Sequence, residues 1–164
     1  MRYADGPEVS VETTIDAPPE RVWDLCTDLT RMAEWGGQEN LGGEWIEGER
    51  GSTGAKFKGR NQHKAIGEWE TTATVVECEP ARTFAWAIMD PENPAATWRF
   101  ELTDVGGKTK LRQHVRMGPG PSGLTYAIEQ NPDKEERIIE RRIQEHTANM
   151  TATIEGIKRA AESG

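Results

Sequence analysis

From Val9 the chain alternates: Val9, Val11, Thr13 and Ile15 fall on one side and Ser10, Glu12 and Thr14 on the other, the period of a strand with one buried face. Pro18 and Pro19 end that strand, because proline gives a sheet no N–H yet suits the first turn of a helix. Val22, Trp23, Leu25, Cys26 and Leu29 then recur at helical spacing. Asp28 is placed to cap a second short helix carrying Met32, which Gly36 and Gly37 close.

Between residues 43 and 117 no helical period is sustained, and turn residues recur. The pattern predicts a meander of antiparallel strands over 43–47, 55–61, 67–78, 83–89, 96–103 and 108–117. Val105-Gly106-Gly107-Lys108 is the tightest hairpin signal, since paired glycines accept the positive φ that such turns demand. Near the end the period changes again, with Asn131 as cap, Pro132 at the first helical position, and Asp133, Glu135 and Glu136 at the positive end of the helix dipole. Ile139, Ile143, His146, Met150, Ile154, Ile157 and Ala161 then follow at steps of three and four, one apolar stripe on an otherwise charged helix. That stripe needs a sheet to lie on.

Parity assigns the faces of the strands. Phe84, Trp86 and Ile88 share one face, as do Trp98, Phe100 and Leu102, with Arg99 and Glu101 outward. Leu111, Gln113, Val115 and Met117 form an inner face and leave Arg112, His114 and Arg116 outside. Phe57 and Gly59 point inward, opposite Lys56, Lys58 and Arg60. Along 67–78, Trp69, Thr71, Ala73 and Val75 alternate with Glu70, Thr72, Thr74 and Val76, and parity does not choose between the two sets.

The 164 residues fit one domain, read as a tail over 1–7 and a single unit over 8–162. Only 35% are hydrophobic and 29% charged, yet six tryptophans concentrate the apolar mass. A net charge of -8 disfavours nucleic acid and anionic membrane surfaces, which are held by clustered Lys and Arg. No apolar run is long enough to span a bilayer, and Met1 to Pro7 lack a signal-peptide core, so the expected place is the cytoplasm, with no membrane insertion. Cys26 and Cys78 are expected as free thiols.

One strand, two short helices, six more strands and a long C-terminal helix is the order of an α+β helix-grip (START/Bet v 1-like) fold, a curved antiparallel sheet of about seven strands around the last helix. The stretch "VETTIDAPPERVWDLCTDLTRMAEW" resembles the opening of the START-like SRPBCC superfamily, in particular its polyketide cyclase/dehydrase-type branch. "GAKFKGRN", "WETTATVVECEPARTFAW" and "TWRFEL" continue the resemblance in order, over roughly residues 8 to 160. It implies a cavity for a hydrophobic molecule between sheet and long helix. It also implies two short helices plugging one end, with Trp35 and the Gly36-Gly37 hinge at the entrance. It fixes no catalytic positions.

Function has to be argued from the site. The expected cavity residues are Trp35, Phe57, Trp86, Ile88, Trp98 and Phe100, then Gln113, Val115 and Tyr126, and Ile143, His146 and Met150 on the helix. Gln113 is a polar group on an apolar face and must meet a helix residue, water or a ligand. His146 reads either as a core histidine bonded to a backbone carbonyl or as a ligand or catalytic group, with Asn149 and Thr153 beside it. His146 with Gln113 is the sole pair to nominate for proton transfer. Arg60, Asn61, Gln62 and His63 make a polar stretch at a strand end that reads as a wet loop, or else supplies a buried arginine to polarise a ligand carbonyl.

No cofactor is expected, and no metal, because His63, His114 and His146 are scattered. Ser52 lies outside any nucleophile elbow. Gly118-Pro119-Gly120-Pro121-Ser122-Gly123 matches G-x-G-x-x-G literally. Its prolines remove donors that a phosphate cradle needs, and no helix is expected directly behind it. It reads as a kinked, mobile loop that, with Leu124, Tyr126 and Ile128, could form a lid. Three classes remain: a binder of a hydrophobic, aromatic or polycyclic small molecule, a cyclase/dehydratase-type enzyme acting on a poly-β-keto chain, and a protein-interaction module. The binder is favoured, and a homodimer is compatible with it.

Overall fold

The computed structural model describes residues 1–35 and 39–163. Strands β1 (Glu8–Ile15), β2 (Asn40–Glu47), β3 (Lys56–His63), β4 (Gly67–Glu79), β5 (Thr83–Ile88), β6 (Ala96–Val105) and β7 (Lys108–Met117) form one antiparallel sheet in the order β1-β7-β6-β5-β4-β3-β2. Between β1 and β2 lie helix α1 (Pro19–Cys26) and a 3-10 helix (Leu29–Glu34) that carry the chain from one sheet edge to the other. After β7 come α2 (Gly123–Gln130), a 3-10 turn (Pro132–Lys134) and the long α3 (Glu135–Glu162). This is the helix-grip arrangement.

Parity holds along the inner face. Phe84 pairs with Phe100, which pairs with Gln113, while Trp86 pairs with Trp98, which pairs with Val115. The outward set carries charge, as in the Glu77–Arg99–Glu101–Arg112 chain of ion pairs. On β4 the structure selects Ala73 and Val75 for burial. A bulge between Val75 and Glu77 then makes Val76 the extra residue and brings Cys78 opposite Phe84, so the inward parity switches. Asp28 does cap the short helix, its carboxylate accepting from the Thr30 amide. Cys26 and Cys78 are free, and burial pushes the Cys26 thiol well above its ordinary pKa.

Two local readings are corrected, at α2 and at Asn131, and residues 1–7 are fastened to the rest of the chain: the Tyr3 hydroxyl donates to the Gly120 carbonyl at 2.6 Å, Arg2 pairs with Glu135 at 3.0 Å, and the Pro7 carbonyl accepts from the Met117 amide. Gly118, at φ +76°, leaves the space that the Tyr3 ring occupies, and an added Cβ would lie 2.8 Å from it. A helix, α2, does open behind the glycine-proline stretch, because the Ser122 hydroxyl accepts from the Leu124 amide and the Thr125 hydroxyl accepts from the Ser122 amide. The stretch before it is tied down, with the Gly118 and Gly120 amides donating to the Ala95 and Pro94 carbonyls. Asn131 makes no side-chain cap, since Pro132 begins a 3-10 turn and the α-helix proper starts at Glu135.

Candidate functional site

Between the inner face of the sheet and α3 lies a cavity of about 140 Å³. Phe57, Trp86, Ile88 and Trp98 make its sheet wall, His146 and Met150 its helix wall, and Leu29 and Met32 contribute from the 3-10 helix. Trp86 and Trp98 lie nearly parallel, 12° apart with centroids at 6.4 Å, and His146 stands edge-on to Trp98 at 5.2 Å and 87°. These flat surfaces arise because β5 and β6 pair in register and place both indoles on one face. The polar groups are few: Asn61, Thr71 and Gln113 from strands, Asn149 and Thr153 from α3, and Glu39 and Asn40 at the start of β2.

Gln113 is 2% exposed, and its Oε1 has no hydrogen-bond partner among the described residues. Asn61 donates to the Thr71 hydroxyl at 3.2 Å, and Thr153 turns its own hydroxyl back to the Asn149 carbonyl at 2.9 Å. His146 is 7% exposed, and among the described residues neither ring nitrogen is hydrogen-bonded, so the expected core histidine bonded to a backbone carbonyl is not what forms. Burial first, and then the Arg142 charge, push its pKa from 6.5 down to about 3 against a weaker opposing effect of Glu145. The imidazole is therefore neutral, with a donor and an acceptor both unspent.

Beside the cavity, Arg142 bonds Glu39 (Nη2 to Oε2, 2.9 Å) and Glu145 (Nη1 to Oε1, 2.9 Å), and His63 meets the other Glu145 oxygen at 3.0 Å. Burial would raise the Glu145 carboxyl pKa, but bonds from His63 and Arg142 and their charges outweigh it and hold it below the ordinary value. The network ties the end of β3 and the residue before β2 to α3. The histidines are scattered along the chain, yet the fold brings His63 together with Glu39 and Glu145, whose ligand atoms lie within 4.8 Å of one another. The Arg142 guanidinium bonds to both carboxylates and supplies the positive charge there.

Of the expected cavity residues, the fold brings together Phe57, Trp86, Ile88, Trp98, Gln113, His146 and Met150. It places the others elsewhere. Phe100 is fully buried with its ring 5.6 Å from that of Trp86, in the solid core. Val115 belongs to a separate cluster with Val9, Met117 and Met150, and Ile143 packs against that cluster. Trp35 is 3% exposed in the main core with the Arg31 guanidinium 4.8 Å over its ring, so it does not stand at an open entrance. Gly36 and Gly37 lie outside the described residues. Tyr126 is 65% exposed on α2 and is not among the described residues that line the cavity. Asn61, Leu29 and Met32 were missed, although Asn61 follows Phe57 and Gly59 at the same parity and could have been found that way.

The sequence model of the family described as "Polyketide cyclase / dehydrase and lipid transport" matches residues 7–155. Among solved structures, the chain is similar to a Polyketide_cyc-like protein from Corynebacterium glutamicum, with 27% identity, a TM-score of 0.66, and coverage of 93% of this chain and 90% of that one. It shares its fold with the Zhui aromatase/cyclase from a Streptomyces species, at 16% identity and a TM-score of 0.65, over 95% and 93% of the two chains. It likewise matches one half of the di-domain ARO/CYC BexL, at 19% identity and a TM-score of 0.69, over 96% of this chain and 51% of that one. No curated protein matches the chain. No helix among the described residues is long and apolar enough to cross a membrane.

Proposed function

The chain belongs to the polyketide cyclase / dehydrase and lipid transport family, and from that premise we propose that it binds a small, flat, hydrophobic molecule between the Trp86–Trp98 wall and the His146–Met150 side of α3. The observation that carries this reading is the cavity itself, walled by near-parallel indoles and edged by unspent polar groups. Its volume sets the ligand's size. About 140 Å³ is close to the roughly 150 Å³ of an engineered apolar cavity that holds one benzene, and below the roughly 300–1,000 Å³ of drug-sized pockets. One ring or a fused pair is accommodated as the molecule stands. A polycyclic ligand requires α3 and the β2–β3 side to part.

The cyclase/dehydratase reading asks more of the same site. A general base works best with a pKa near the working pH, and His146, held at about 3 by burial, binds a proton too weakly for that task. Gln113 can orient a substrate but does not exchange protons. Holding a ligand asks less of this residue set than enolising one does.

Titrating toluene, phenol and naphthalene while following tryptophan fluorescence is expected to give saturable quenching, reduced in Trp98→Phe. The unfolding midpoint should rise with ligand, by about 2.7 kcal/mol of stabilisation at a hundredfold excess over Kd. Absence of saturation with all three, together with an unmoved midpoint, would overturn the reading.

A further inference from the structure

We infer that the cavity selects a neutral ring bearing a hydroxyl that donates a hydrogen bond to Gln113, a phenol or an enol, and rejects the matching carboxylate. The inference rests on the binding reading above and deepens it. Gln113 sits on β7 with its parity set by Leu111 and Val115, both fully buried, so the amide cannot turn outward to water without breaking the register of the strand. Its Oε1 is buried and unpaired, and the Gln113 side chain lines the cavity. A buried acceptor without a donor costs about 1–3 kcal/mol, and a ligand hydroxyl recovers that cost at the moment of binding. An apolar ligand of the same shape leaves the penalty in place.

The opposite wall is suited to the same group. His146, neutral and without hydrogen bonds, can accept from a second hydroxyl or donate to a ring oxygen, and Asn149 lies one helical turn away. Neither residue brings positive charge. Among the described lining residues the one charged side chain is Glu39, and its carboxylate is bound by Arg142. Arg142 in turn is shared between Glu39 and Glu145 and has no charge to spare for a ligand. A carboxylate entering this space would be buried without a counter-ion, which costs far more than a hydroxyl's desolvation. A site built to bond a hydroxyl discriminates strongly against the analogue lacking it, whereas a merely apolar pocket does not.

The test uses toluene, anisole, phenol and benzoate on the intact protein and on Gln113→Leu and Gln113→Met, with affinity read by tryptophan fluorescence or calorimetry. Because toluene is the more hydrophobic of the pair, the informative quantity is the phenol-to-toluene affinity ratio compared between proteins. That ratio is expected to fall about tenfold in either variant, as the loss of a single hydrogen bond predicts. Anisole should behave like toluene in all three proteins, and benzoate should not bind. Both variants should melt at or above the intact protein's temperature, since each removes an unpaired buried polar atom; the unbranched Gln113→Met keeps the side-chain shape if the leucine packs poorly. A ratio unchanged by both substitutions, or benzoate binding as tightly as phenol, overturns hydroxyl selection while leaving the binding reading standing. Failure of every ligand on the intact protein overturns both.

Discussion

Replacing Gly156 by alanine should destabilise the protein by about 3 kcal/mol, the upper part of the range for forced overpacking. The direction is the informative part, because the same substitution inside an ordinary helix gains about 1 kcal/mol through propensity. Gly156 lies on the buried face of α3, and the backbone of Trp35 runs directly against it. An added Cβ would sit 2.6 Å from the Trp35 carbonyl carbon and 2.7 Å from its Cα, closer than real Cβ atoms come. The obstacle is main chain at the end of the 3-10 helix, not the flexible tip of a side chain, so relief requires moving that helix off α3. Leu29 and Met32 would move with it, and both line the cavity. Urea denaturation should therefore show a lower midpoint for Gly156→Ala, with binding of a cavity ligand weakened as well. A variant as stable as the parent would mean that the close approach does not exist.

This contact also shows what the sequence could and could not reveal. Alternation along β6 and β7 was readable because each has one charged and one apolar face, and along β5 because Phe84, Trp86 and Ile88 alternate with Thr83, Ala85 and Ala87; register follows from burying the large apolar set. Depth was not readable. Phe100 and Trp98 have the same parity, yet Phe100 is sealed in the core while Trp98 reaches the cavity, since depth depends on where α3 crosses the sheet. The family resemblance alone places Trp35 at the cavity entrance. Only the distant Gly156, more than a hundred positions along the chain, explains how closely it is held.

The two errors around the cavity mouth have local causes. Helix α2 is eight residues long with no buried side chain, so it leaves no apolar period; its trace in the sequence is the Ser122 and Thr125 pair that caps it. The polar run from Arg60 to His63 read as loop because strand propensity is low there, but it continues β3. Arg60 and Gln62 alternate with Asn61 and His63, and the latter pair reach the cavity wall and Glu145 respectively. The ion network through Arg142 is formed by residues from three separate segments, and no spacing rule connects them.

The stability of His146→Leu relative to the parent should depend on pH in one direction only. In the folded protein burial and the nearby Arg142 charge lower the imidazole's pKa to about 3, against an ordinary 6.5 in the unfolded chain. Between those two values the unfolded chain binds a proton that the folded one refuses, so the parent loses stability as pH falls from about 7 toward 3, at about 1.4 kcal/mol per unit. Above about 7.5 both states are neutral and the contribution is flat. Leucine fills similar space against Trp98 and Met150 and has no proton to bind, so the variant escapes this slope. Other groups near the site are Arg142 and Glu145 on the same helix, with His63 and Glu39 behind them, and they are common to both proteins. Subtracting the two stability curves isolates His146. The difference should be constant from pH 7.5 to 9 and should shift by about 2 kcal/mol in the variant's favour between pH 7 and pH 5. Parallel curves across that interval would show that the folded imidazole takes up its proton normally, and with it that the cavity wall at His146 is wet and polar enough to hold a cation.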